Sequence, residues 1–303
     1  MLNATPNRFV RAAGLMLAST ICFGAMALTI KVAAHSLSTF EIAFFRSALG
    51  LLVLLPILRA GGAAPRTRQL PRYLLRSAIG VGSMLSGYWA IAYLPLAQAI
   101  ALSYSTPLFV TIMAVIWLRE RVRWRRWAAV MLGFVGVLVV VRPGGAGFSI
   151  ASLVALLAAL LSAIVAIQIK QLSRIDGPDT IVFFTYLFWV PMSLLSALPG
   201  WQWPPMATWG WLFATGACGT VAQLLWARAL GLGEVSALQP ISFMQLPMVA
   251  VAGYYLFDEK LDHWTLAGAA IIFAANAFIA HRETRLARSH ASLAPSEAVK
   301  PGE

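Results

Sequence analysis

Acidic side chains are scarce in this chain: Asp and Glu together number 11 among 303 residues, and charged residues of both signs make up only 11%. A soluble domain carries about 25% charged residues, so a soluble enzyme or binding module is excluded. None of the acids lies near the middle of an apolar stretch. Nothing is therefore in place to repay the desolvation of a lipophilic cation, and no carboxylate proton carrier is visible. The two cysteines, Cys22 and Cys218, fall inside apolar stretches and read as small packed residues, not as a disulfide. The four histidines, His35, His263, His281 and His290, show no ligand spacing, so neither a metal site nor a catalytic centre is expected. No phosphate-binding glycine loop occurs, which argues against ATP as the driving force, and no cofactor is expected. Strand-length segments of alternating polarity are missing too, which excludes a membrane β-barrel.

What fills the chain is apolar: 60% of its residues are hydrophobic. Ten stretches, at 12–34, 39–58, 73–94, 96–118, 124–141, 149–171, 179–198, 207–230, 235–257 and 263–281, approach the roughly 20 residues needed to cross a hydrocarbon core of about 30 Å. Inside lipid every backbone N–H and C=O needs an internal partner, so stretches of this length must be helices. The expectation is an all-α integral membrane protein of ten transmembrane helices. The first stretch is too long for the core of a cleaved signal and reads as a retained span. With so little mass between the stretches, the work of the protein has to be done at or through the bilayer.

The net charge of +12 invites a nucleic-acid reading, which its distribution excludes. With the N-terminus in the cytoplasm, 19 of the 23 Lys and Arg residues fall on the cytoplasmic side. Only Lys31, Arg142 and Lys260 fall outside, and Arg46 lies within the second span. This asymmetry is the positive-inside pattern and places both termini in the cytoplasm, with the bacterial inner membrane as the expected location. The basic run Arg119–Arg126 then reads as a topogenic loop against anionic lipid headgroups. The uncharged segment Trp201–Pro205, with Trp209 and Trp211, reads as an aromatic belt at the outer surface. The expected partners are membrane lipids and a small-molecule substrate, and no nucleic acid; nothing in the sequence sets an oligomeric state.

The second five stretches repeat the first five. Ala27–Lys31 matches Ala166–Lys170 at an offset of 139 residues, and Trp89–Ala92 matches Trp226–Ala229 at 137. Trp117–Arg121 matches Leu256–Lys260, again at 139. The expected boundaries are a first repeat at 1–145, a second at 146–282, and a disordered cytoplasmic tail at 283–303. Because five is odd, the halves enter the membrane from opposite sides, and an inverted repeat can expose one central site alternately to each side.

On these residues the chain resembles the drug/metabolite transporter superfamily, in its ten-helix, two-repeat EamA-type permeases. The resemblance is carried by Phe44-Phe45-Arg46, by Ser103–Pro107 running to Glu120, and by Pro240–Pro247 running to Glu259. The family pattern has glycines 9 and 16 residues beyond that Glu; here Ala129 and Gly136 follow Glu120, and Gly268 and Ala275 follow Glu259, so each half replaces one glycine by alanine. The small multidrug pumps of the same superfamily depend on a Glu in their first helix, and this chain has none there. The resemblance implies a permease for small organic metabolites. Amino-acid export, aromatic amino acids included, is the favoured expectation, with uptake or exchange of a cofactor or nucleoside-type metabolite as the alternative. A membrane-embedded lipid-modifying enzyme is disfavoured, since the nearest approach to a catalytic cluster, Asp258, Glu259 and Asp262 beside His263, needs no chemistry to explain it.

Polar and aromatic residues at helical spacing supply the candidate substrate contacts. An amide or hydroxyl in hydrocarbon is costly unless paired, so Gln223, Gln239, Ser242 and Gln245 should face a cavity or another helix. Phe23, Ser86, Tyr88, Trp89, Tyr104, Ser105, Gln168 and Trp226 complete the set, Trp89 and Trp226 being repeat equivalents. Pro107, Pro247 and Gly87 are candidate hinges, because proline removes a helical hydrogen bond. Arg46, about 10 Å deep at 1.5 Å per residue, could hold a substrate carboxylate, snorkel outward, or pair with Glu41 in space; Lys31 and Lys170 are expected to snorkel. Single cysteines placed at 59–72 or 119–126 are expected to react with membrane-impermeant reagents only from the cytoplasmic face; reaction from outside would reverse the orientation.

Overall fold

The computed structural model describes residues 6–60, 65–118, 124–143, 149–173, 175–232, 238, 241–260 and 262–292. They form α1 (Pro6–Ala33), α2 (Thr39–Ala60), α3 (Leu70–Tyr93), α4 (Leu96–Ser103), α5 (Thr106–Leu118), α6 (Trp124–Val141), α7 (Ile150–Leu172), α8 (Pro178–Ala197), α9 (Met206–Leu232), α10 (Gln245–Phe257) and α11 (His263–Ser292). A 3₁₀ turn, Leu198–Gly200, extends α8. These segments make ten passes, because α4 and α5 are two parts of the fourth, and α10 is the longer part of the ninth. Five segments are long and apolar enough to cross a bilayer: Val10–Ala33, Thr39–Arg59, Leu96–Trp117, Ile150–Leu172 and Asp179–Gly200. α3 and α9 are long enough but more polar, and each packs along a helix of the opposite half.

The two five-pass halves are interleaved, not side by side. α1 runs along α9 and, with the halves exchanged, α3 runs along α7. α2 meets α9 as α8 meets α3, and α1 meets α10 as α7 meets α5. α2 with α8 and α6 with α11 close the set as pairs of equivalents, and α4 of the fourth pass meets α10 of the ninth. One crossing shows the relation atom by atom. Ser83 Oγ donates to the carbonyl of Ala158 at 2.9 Å, and Ser19 Oγ to that of Ala222 at 2.8 Å. Residues 19 and 158, like 83 and 222, are 139 apart, so the same contact is made twice with the roles of the halves swapped. The fold is thus an inverted repeat of two five-helix units.

Lipid does not drive apolar helices together, so close approach of small residues supplies the packing. α6 and α11 touch backbone to backbone at Gly136 and Gly268. A Cβ on Gly136 would stand 2.8 Å from the Gly268 carbonyl, and one on Gly268 would stand 2.6 Å from the Gly136 carbonyl. Ala129 and Ala275 are buried in the same interface, where a methyl group still fits, which accounts for one glycine and one alanine in each half. On the outside of the bundle the order is reversed: Ile116, Met131, Leu195 and Tyr255 are exposed, as residues facing acyl chains should be.

Several expectations are revised. The last helix runs on to Ser292, into the segment 283–303 expected to be disordered; Arg, Leu, Ala and Glu there favour helix, and no Gly or Pro precedes Pro295. Residues 293–303 lie outside the described residues, as do Arg119, Glu120, Arg121, Arg123, Gln239 and Pro240. Arg76, one of the charges counted on the cytoplasmic side, is buried and donates to Thr185 Oγ1. Trp203 and Trp211 are exposed, whereas Trp201 and Trp209 pack on Phe45.

Gly268→Val should destabilise the bundle by about 3 kcal/mol, at the upper end for overpacking, read as a fall in detergent melting temperature and in monodisperse yield. A variant melting as wild type would show that α6 and α11 do not meet here.

Candidate functional site

The site begins where two passes break. Pro107 has no N–H for the carbonyl of Ser103, and the fourth pass interrupts at Tyr104–Ser105. Thr106 Oγ1 donates to that carbonyl at 2.8 Å, and Asn276 Nδ2 donates to Tyr104 O at 2.9 Å. Pro247 likewise follows a break, at Phe243–Met244, and here Leu246 N reaches back to Phe243 O at 3.1 Å. The carbonyl of Ser242 is met by the Tyr104 hydroxyl at 3.0 Å. Tyr104 and Phe243 are 139 residues apart, and their rings pack with centroids 4.3 Å apart. Each ring therefore lies against its own repeat counterpart, on the pseudo-twofold axis of the molecule.

Beside this junction, a cavity of about 450 Å³ opens between α1, α2, α3, α7, α8 and the fourth-pass break. That volume lies in the usual range for sites of small organic ligands, roughly 300–1,000 Å³. Phe23, Arg46, Ser83, Gly87, Tyr88 and Trp189 line it, with methionine and aliphatic side chains between them and no Asp or Glu. Small residues make the space: Gly87 on α3 faces Ala158 on α7, and a Cβ on Gly80 would stand 3.0 Å from Trp189 Nε1.

Among the described residues Arg46 is the one charged group in the lining, and it is 4% exposed. It neither snorkels nor finds an acid. Among the described residues no carboxylate lies within ion-pair distance. Glu41, its expected neighbour, is engaged elsewhere: with Ser38 it forms a capping box at the start of α2, and its other oxygen accepts from Gln202 N. The guanidinium lies over Tyr186 and Trp189, 5.4 and 5.3 Å from the ring centroids, and its Nη1 reaches Met84 Sδ at 3.8 Å. Tyr186 is fixed in turn, with its hydroxyl 3.0 Å from Thr220 Oγ1 and 3.5 Å from Gln223 Oε1.

Of the residues expected at the site, the structure brings Phe23, Tyr88, Gly87 and Arg46 together in the lining. Tyr104 stands at the axis, and Ser105 is buried beside it, its hydroxyl without a partner among the described residues. Gln223 lies outside the lining and accepts from Tyr186, whose ring lies against Arg46. Gln168 is buried on α7 outside the lining, its Oε1 without a partner among the described residues. Ser86 and Trp89 lie on α3 outside the lining, Trp89 packing on Tyr93. Ser242 Oγ points at Met16 Sδ, Gln245 begins α10 outside the lining, and Trp226 is partly exposed on the bundle surface. Trp189, Met26, Met84 and Ser103 line the cavity without having been singled out, because a helical period does not say which apolar face meets lipid and which meets a cavity.

At the end of the bundle opposite Pro6, polar ties close the structure. Lys31, expected to snorkel, instead pairs with Glu259 and also donates to Leu94 O at 2.7 Å. Glu259 Oε2 accepts from Leu96 N at 2.7 Å. This one pair joins the first pass, the ninth, and the turn between the third and fourth, and both side chains are largely shielded, at 11% and 15% exposure. Arg142 and Asp262 pair at 2.6 Å and join the ends of α6 and α11.

Ten helical passes in two inverted halves, with a lined cavity where the halves meet, define a membrane transporter of the inverted-repeat kind. The sequence pattern of the EamA-like transporter family matches residues 10–142 and again residues 149–280. The chain belongs to that family. It is 36% identical over 257 residues to the riboflavin transporter of Vibrio cholerae, covering 84% of this chain and 86% of that one. It is 29% identical over 273 residues to the S-adenosylmethionine uptake transporter of Rickettsia bellii, covering 90% and 94%. A solved crystal structure shares the fold, with a TM-score of 0.66 over 91% of this chain and 98% of that one, at 18% identity.

Removing one member of the Lys31–Glu259 pair strands the other charge, so Glu259→Met or Lys31→Met should each cost about 2–3 kcal/mol. The double variant should melt above either single one. Single variants as stable as wild type would show that the pair carries no load.

Proposed function

We propose that this chain takes up a small, flat, uncharged or anionic cofactor-type molecule, with riboflavin the best-supported candidate, across the bacterial inner membrane by alternating access. The observation that carries the reading is the charge of the cavity: one arginine, aromatic walls and no acid. Riboflavin offers a planar ring system and carbonyl acceptors and bears no positive charge. S-adenosylmethionine is a sulfonium cation, and bringing it beside a buried guanidinium without a carboxylate is unfavourable. Riboflavin and S-adenosylmethionine, the substrates of the two relatives, are both cofactor-type molecules. They favour this reading over amino-acid export, the expectation drawn from the sequence. The aromatic walls suit an aromatic amino acid as well as a flat cofactor, and the relatives favour the cofactor.

The orientation with both chain ends in the cytoplasm is supported by the distribution of Lys and Arg. In that orientation the Lys31–Glu259 tie lies on the outer face. The breaks before Pro107 and Pro247 supply bending points at equivalent places in the two halves, as exchange of conformation between inverted repeats requires.

Purified protein in liposomes should support counterflow of labelled riboflavin well above protein-free vesicles, and should move S-adenosylmethionine and aromatic amino acids poorly. Expression in a bacterial strain that neither makes nor imports riboflavin should restore growth on external riboflavin. Counterflow of aromatic amino acids without riboflavin would restore the amino-acid reading.

A further inference from the structure

The helices that touch through glycine, α6 and α11, do not pack evenly along their length. Where Gly136 meets Gly268 the backbones are in contact. At the positions related to these by the repeat stand Ala275 and Ala129, and there a groove of about 590 Å³ opens on the outside of the bundle. Its floor is Ala129 and Ala275, both buried, and its rims are Trp124 and Leu132 of α6 and Phe278 of α11, each about half exposed or more. The groove leads toward a band of cations. By helical period Arg125 shares a face of α6 with Ala128, Ala129 and Leu132, at i, i+3, i+4 and i+7. Arg282 and Arg285 likewise share a face of α11 with Ala274 and Phe278. Residues 119–126 and 281–288 together carry eight arginines against two glutamates. The repeat equivalents of Arg125 and Arg282 are Trp264 and Pro143, so these charges belong to one end of the helix pair and not to the repeat.

We infer that this groove holds one acyl chain of an anionic phospholipid whose phosphate lies at the arginine-rich end. Apolar walls that run toward a cationic end are complementary to a molecule with a hydrocarbon chain and a negative head, and arginines beside the membrane surface add attraction that a neutral lipid does not collect. Trp124, 73% exposed at the start of α6, stands where tryptophan settles at the boundary between headgroups and chains. With both chain ends in the cytoplasm, the site lies in the inner leaflet. A second copy of the chain fits the groove less well. A twofold contact there would set two arginine-rich ends against each other, with few acids to offset the repulsion. In lipid, helices are held by packing and not by expulsion from water. A chain seated between α6 and α11 therefore supplies the contacts that the alanines leave open, and braces the pair below its glycine crossing.

The test uses the purified full chain, delipidated in detergent, with phosphatidylglycerol or phosphatidylcholine of the same acyl chains added back. Phosphatidylglycerol should raise the melting temperature by about 5 °C more than phosphatidylcholine does, and should survive as bound lipid in native mass spectra. Ala128→Phe combined with Ala274→Phe fills the groove from two exposed lining positions. This variant should melt as wild type in detergent alone and lose both the gain and the bound lipid. Arg125→Gln combined with Arg282→Gln leaves the groove open and tests the headgroup contact independently of the packing. It should reduce the gain from phosphatidylglycerol to that from phosphatidylcholine. Equal gains from the two lipids in the wild-type chain would overturn the site, as would the full phosphatidylglycerol gain in either variant. A wild-type dimer, seen by light scattering and broken by the filled variant, would assign the groove to a second copy and overturn the lipid site as well. None of these readouts depends on which molecule is transported.

Discussion

A helix that breaks inside a bilayer frees carbonyls that lipid cannot answer, and this molecule is arranged around answering them. The fourth and ninth passes both break just before a proline, and the breaks meet on the axis that relates the two halves. Tyr104 supplies the Ser242 carbonyl with a hydroxyl, Asn276 of the last pass supplies the Tyr104 carbonyl, and Thr106 closes the gap that Pro107 leaves. Each break is thus completed in part by a residue of the opposite half, Asn276 for one and Tyr104 for the other. With α1 laid along α9 and α3 along α7, the two repeats complete one structure together.

The cavity follows from that interleaving. Ser83 and Gly87 on α3 face the small residues of α7, so the walls stay apart where larger side chains would have filled the space. Charge then selects what can enter. In a low-dielectric site a lone guanidinium repels cations and favours acceptors, and the scarcity of acids seen at the level of composition becomes a property of the cavity wall. The acids that do occur near the passes are spent at their ends: Glu41 caps α2, Asp176 accepts from Thr67 and Tyr73, and Glu259 and Asp262 pair with Lys31 and Arg142.

Much of this architecture was legible in the chain and much of the site was not. Ten long apolar stretches in a solvent without water leave helices as the only outcome, and the 139-residue offset already related Lys31 to Lys170 and Glu120 to Glu259. Pro107 and Pro247 marked the breaks because a missing N–H is a local fact. Two of the glutamines lie outside the cavity lining. A polar residue in a span needs a partner, but Gln223 finds Tyr186 and lies behind the cavity wall, and Gln245 starts a helix after a break. Trp189 carried no signal, since a tryptophan in an apolar run is read as core or lipid-facing until its neighbours are known.

The sequence by itself determined the number of passes, their helical state, the duplication and the near absence of acids, because each depends on local composition or on the repetition of a pattern. Only the tertiary structure decided which faces turn inward, that Lys31 pairs with Glu259, and that Arg46 is left without an acid beside the indole of Trp189. Those are relations between residues far apart in the chain. In lipid, where apolar side chains are at home on either face of a helix, periodicity carries no record of them.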